Sequence, residues 1–338
     1  MPSRFAYFGT NTVPGRIVKI RLSDFTRVGA ITLPAGENYL WSAVIDLPNG
    51  FAYFGTDTAP GKVIKINLSD FTRVGWLGFW GGEDYLDTAV IDQPNGFAYF
   101  GTLTFPGKIL KINLANFTRV GIITLASGEN QPWSSVIDQP NGFAYFGCNS
   151  DPGKIVKIRL SDFTGVGAIT LPAGETGICS AVIDQPNGFA YFGTSSSPGK
   201  IIKIRLSDFT RVGSISLNPG ENTVRPAVIN QPGGFACFGG FFDPGWGAKI
   251  RLSDFTRVEG ITLPAGEERP FPAVIDSSGG FAYLGASDTP GKIVKIKIGL
   301  TTPIERIASI QLNSGENYPR SAVIDKAGIQ YLPIVGMG

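Results

Sequence analysis

Histidine does not occur among the 338 residues. That excludes Ser-His-Asp and Cys-His nucleophile arrangements and any histidine-based metal site. Only three cysteines are present, Cys148, Cys179 and Cys237. They lack metal-type spacing and read as isolated small side chains. Charge is sparse: 17% of residues are charged and the formal net charge is +2. So small a balance excludes a nucleic-acid partner held by bulk electrostatics. Glycine or a charge interrupts every apolar run, so no segment is long enough to span a membrane. Met1-Pro2-Ser3-Arg4 leads straight into strand-like sequence, and no signal peptide is expected in this chain. No helical pattern follows a Gly-rich loop, so a phosphate cradle is not expected either. No catalytic residue, metal site or cofactor is expected on these grounds.

What is present is a repeat. Phe-Ala-Tyr-Phe-Gly-Thr begins at Phe5 and returns, complete or nearly so, at Phe51, Phe97, Phe143, Phe189, Phe235 and Phe281, a constant step of 46 residues. Strand-like repeats of about 40–50 residues are the signature of a β-propeller, one copy per blade. In one copy, Ser42–Asp46 is β-branched and strand-like. Leu47-Pro48-Asn49-Gly50 is a turn, Phe51–Thr56 a second strand, Lys62–Leu68 a third, and 73–79 a fourth. The expected fold is all-β: a seven-bladed β-propeller of four antiparallel strands per blade, one domain over 1–338. The first copy enters at its second strand. The innermost strand it lacks should come from Ser321–Asp325, closing the ring between the two termini. Residues 329–335 look like a further second strand that competes with Phe5–Thr10, and Pro333 disfavours it there.

The order Ala-Val-Ile-Asp, turn, Phe-Ala-Tyr-Phe-Gly-Thr, loop, Lys-Ile-Val-Lys-Ile resembles the YVTN-type repeats of surface-layer and other secreted microbial propellers. The second strand departs from the Tyr-Val-Thr-Asn pattern. The resemblance implies an inner strand lining a central channel and an extracellular or cell-surface setting.

Three rings of charge recur. Asp46, Asp92, Asp138, Asp184, Asn230, Asp276 and Asp325 end the inner strands and read as turn caps. Glu37, Glu83, Glu129, Glu175, Glu221, Glu267 and Glu316 each follow Gly. Arg16, Lys62, Lys108, Lys154, Lys200 and Lys292 follow Pro-Gly at the same end, and the simplest expectation is that they pair with or solvate the glutamates. Features repeated in every blade read as structural, because a catalytic pocket needs blades that differ.

Differences gather in two windows, one after the Glu ring and one before Pro-Gly. Alternating strands bring both to one rim, which carries Trp41, Asp87, Phe105, Trp133, Arg225, Phe241, Phe242, Trp246, Arg269, Phe271 and Arg320. Aromatic and arginine side chains dominate binding hot spots. The leading expectation is therefore a non-enzymatic recognition or scaffold module for a glycan, peptide or protein partner. Its contacts should centre on an exposed loop holding Phe241, Phe242 and Trp246, with Arg225, Arg269 and Phe271. One rival is a structural subunit that self-assembles through residues 329–335 as a donated strand. The other is a lyase or hydrolase at the channel mouth, which requires a blade-specific cluster of acid, base and arginine in the channel.

Overall fold

The computed structural model describes residues 4–299 and 303–325. The repeat folds into seven sheets of four antiparallel strands each. Blade 2 contains Leu40–Asp46, Phe51–Thr56, Lys62–Asn67 and Thr72–Gly78, paired in that order. Blades 3 to 7 follow along the chain, and the all-β, seven-bladed expectation holds. Blade 1 is the seam. There Phe5–Thr10 sits between Pro319–Ile324 and Arg16–Arg21, so the first strand keeps its slot and the carboxyl end supplies the inner strand. The segment 329–335 lies outside the described residues.

The core is divided into wedges between neighbouring blades. Tyr7 and Ile17 of blade 1 pack with Ala52, Phe54, Ile64 and Ile66 of blade 2. Each such aromatic side chain contributes about 1.5–3 kcal/mol on burial, and the second strand supplies a Tyr-Phe pair to most wedges. Glycine in this strand is needed for the close approach of blades. A Cβ at Gly55 would run into Ser42 Oγ and Leu86, and Ser42 Oγ donates to the Leu86 carbonyl of the next blade at 2.7 Å.

The Asp ring caps turns, as at Asp46, which accepts Asn49 Nδ2 at 2.9 Å. The Glu ring behaves differently from the expected pairing. Arg73 on the outer strand of blade 2 forks onto Glu37 through Nε and Nη2, and the same pair recurs as Arg211–Glu175 and Arg257–Glu221. Lys62 instead donates to the Gly36 carbonyl at 2.8 Å. The outer-strand guanidinium matches the two carboxylate oxygens, which a single ammonium cannot do. At the equivalent place blade 4 has Gly165, so Glu129 lacks this partner and bonds the Ala126 N–H at 3.0 Å.

Candidate functional site

Alternation along the inner strand decides what faces the channel. In Leu40–Asp46, the residues Leu40, Ser42, Val44 and Asp46 are buried, while Trp41, Ala43 and Ile45 are half-buried on the other face. Repeated around the ring, that face carries seven isoleucines, from Ile45 to Ile324, then small residues such as Ala43, Ala89 and Ser135. At the rim it carries Trp41, Asp87, Trp133, Cys179, Arg225, Phe271 and Arg320. The inner two tiers repeat almost unchanged. The outermost tier is one repeat position in which neighbouring blades always differ.

Backbone geometry pins this tier. The residue two positions before it has positive φ in every blade: Tyr39, Tyr85, Gln131, Gly177, Thr223, Arg269 and Tyr318. Its N–H bonds the loop of the preceding blade, as Tyr39 does to the Thr12 carbonyl at 3.1 Å and Arg269 to Phe242 at 2.9 Å. These bonds knit the two variable windows into one rim.

The tier's side chains meet across the mouth. The Arg225 guanidinium lies 4.4 Å from the Trp133 ring centre and 4.9 Å from that of Phe271. Arg320 lies 4.9 Å from both Phe241 and Phe271, and Trp41 meets Phe271 edge-on at 5.7 Å. A guanidinium stacked by its face keeps its edge N–H groups for an anion. Arg320 Nη1 donates to Ser287 Oγ at 2.7 Å, and its buried Nε has no partner among the described residues.

Asp87 is set among these cations. It is 7% exposed, and its Oδ1 has no hydrogen-bond partner among the described residues. Burial pushes its carboxyl up to about 7. Arg225 and Arg320 oppose that rise, while Asp57 adds to it. Burial likewise lowers Arg320 to about 10, helped by the neighbouring Arg225. A cavity of about 180 Å³ opens here, lined by Asp87, Trp41, Arg320, Thr88 and the channel faces of blades 1, 2, 3 and 7. A buried carboxyl that titrates near neutrality inside a cavity is suited to proton transfer.

Of the residues singled out from the sequence, Trp41, Asp87, Trp133, Arg225, Phe241, Phe271 and Arg320 converge. Arg269 stays exposed on the rim above them. Phe105 is 70% exposed on the blade 3 loop. Phe242 is 45% exposed and lines a separate groove of about 520 Å³ on the flank of blade 6. The exposed aromatic loop expected around Trp246 is corrected: Trp246 is 6% exposed and packs with Phe238, Val224 and Leu217. The cause is a paired change. Gly240 replaces the repeat threonine directly opposite Trp246, and a Cβ at Gly240 would occupy the space of the indole. Asp57, Asn11, Ser287 and Cys179 belong to the site without having been singled out. The signal for them was the column of unlike residues rather than any one residue type.

No protein-family model matches the sequence, and no curated protein matches it significantly. Solved structures match the fold. A hypothetical selenium-binding protein from Sulfolobus tokodaii superposes with a TM-score of 0.80 at 14% identity, covering 96% of this chain and 94% of that one. A candidate 6-phosphogluconolactonase from Bacteroides fragilis gives 0.77 at 13%, covering 96% and 98%. The periplasmic gluconolactonase of Pseudomonas aeruginosa gives 0.75 at 10%, covering 95% and 99%. Likeness at these identities establishes the seven-bladed fold, which is also the level at which the resemblance to YVTN-type propellers holds. Two of these three neighbours carry lactonase names. They overturn the expectation of a non-enzymatic recognition or scaffold module, because proteins of this fold carry hydrolase names. Of the acid, base and arginine cluster that an enzyme required, Asp87, Arg225 and Arg320 supply a blade-specific carboxyl and two arginines.

Proposed function

We propose that the chain is a hydrolase working at the channel mouth on a small anionic ester of the lactone kind. The observation that carries this is Asp87: buried, with an oxygen lacking a partner, beside two stacked guanidiniums in a cavity of about 180 Å³. The Asp87 carboxyl serves the proton transfers: ionised, it accepts a proton from the water whose oxygen adds to the acyl carbon, and protonated, it gives one to the ring oxygen as the acyl–oxygen bond breaks. Arg320 and Arg225 hold the substrate's anionic group or the oxygen on which charge develops. Trp41, Trp133 and Phe271 wall the site and keep the guanidiniums in place. The lactonase names of structural neighbours support the substrate class by analogy of fold alone.

The test is hydrolysis of glucono-δ-lactone and of 6-phosphogluconolactone, followed by proton release. The expected result is turnover by the wild-type chain, with Asp87→Asn reduced at least about 100-fold. Turnover that is equal in wild type and Asp87→Asn, or absent from both, overturns the reading.

A further inference from the structure

Two repeat positions meet at the mouth, and three observed pairs define how. Trp41 Nε1 donates to Asn11 Oδ1 at 2.8 Å. Phe271 meets Phe241 edge-on at 5.9 Å. Arg320 Nη1 reaches Ser287 Oγ at 2.7 Å. In each pair, the residue following the second strand of one blade touches the mouth residue of the next. Between blades 2 and 3 these same two positions hold Asp57 and Asp87. The main chain of Asp57 is anchored like that of its counterparts: its N–H bonds the Tyr39 carbonyl at 2.7 Å, as Asn11 bonds Tyr318 and Phe241 bonds Thr223. Where these three pairs are the guide, the Asp57 side chain is directed toward Asp87, and its charge adds to the rise of the Asp87 carboxyl.

We propose that Asp57 and Asp87 form a dyad sharing one proton, and that Asp57 is a second catalytic residue performing the other proton transfer of hydrolysis. This rests on the hydrolase reading above. Adjacent carboxyls cannot both ionise cheaply, so one keeps its proton at neutral pH. A metal ion between them is disfavoured by Arg225 and Arg320, the cations facing Asp87. Cys179 is the remaining titratable neighbour, and burial pushes its thiol up to about 11. Burial raises Asp57 to about 6. Asp87 is more than nine-tenths buried and lines the cavity, and among the described residues its Oδ1 has no partner, so the proposed dyad meets a ligand there through Asp87.

The step balances. The ionised carboxylate accepts a proton from water as the new carbon–oxygen bond forms. The protonated partner gives its proton to the ring oxygen as the acyl–oxygen bond breaks. The product is a hydroxy acid, and the dyad again holds one proton.

The experiment pairs kinetics with carboxyl ¹³C titration by NMR in wild type and Asp57→Asn. The expected result is a loss of kcat of about 100-fold or more in Asp57→Asn, with little change in KM. In the same variant Asp87 titrates at lower pH, because its negative neighbour is gone. An Asp87 titration that does not move overturns the dyad, whatever the kinetics. A moved titration with kcat within about twofold of wild type overturns the catalytic role of Asp57 and leaves Asp87 as the working residue. Because titration needs no substrate, a chain that hydrolyses no lactone fails the functional reading without deciding the dyad.

Discussion

The guanidinium of Arg225 stacks on the indole of Trp133, 4.4 Å away and two blades distant across the channel mouth. The stack positions a cation with its donors free, so Arg225→Ala should raise KM for an anionic lactone by about 10–100-fold, the value of a charge-assisted hydrogen bond. Trp133→Ala, which only loosens the stack, should cost less. Steady-state kinetics of the two variants checks the order, and a neutral ester should be less sensitive to both.

Asp87 makes stability depend on pH in a definite direction. Its folded-state value of about 7 lies above that of an exposed aspartate, so the folded chain holds the proton more tightly than the unfolded chain does. Stability from this group is fully present below about pH 4 and is lost as pH rises through 7. Asp87→Asn mimics the protonated state. It should match wild type near pH 4 and exceed it by about 1–3 kcal/mol at pH 8, while activity is lost. Denaturant melts at the two pH values measure this.

Gly240 and Trp246 should behave as a coupled pair. Gly240→Thr alone forces a side chain into the indole and should cost about 2 kcal/mol or more. Combined with Trp246→Lys, which restores the repeat at both positions, the cost should largely vanish. A double-mutant cycle by thermal unfolding gives the coupling, and additive effects would contradict the packing described here.

Much of this was legible in the residues, because a constant period needs no tertiary information. Phe-Ala-Tyr-Phe, intact in five of the seven copies at a 46-residue step, announces a buried second strand, and Leu47-Pro48-Asn49-Gly50 announces its hairpin. The convergence of both variable windows on one rim followed from strand alternation. The sequence places Trp246 just after the exposed residues Phe242, Asp243 and Pro244, whereas its burial depends on Gly240 across the hairpin. Asp57 stands in a variable window of the sequence, but its proposed partner Asp87 lies thirty residues on, in another blade, so the sequence alone does not pair them. The Glu ring's partners were assigned to nearby lysines, although the outer-strand arginines reach it from the adjoining blade.

Blade 4 offers a gain rather than a loss. Gly165→Arg would return the missing clamp to Glu129, as Arg211 holds Glu175. The half-buried fork should add about 1 kcal/mol, less at high salt. An unchanged melting temperature in low salt would argue that blade 4 cannot seat the guanidinium.

The seam of blade 1 also gives the molecule a sense of its own completion. Arg320 lies on Pro319–Ile324, the closing strand and the last of the described strands to leave a ribosome. Until that strand docks against Phe5–Thr10, six blades can stand assembled around a mouth that lacks one of its two stacked guanidiniums. On the proposed function, ring closure and catalytic competence arrive in one event, and a chain whose seam is open is inactive before it is unfolded.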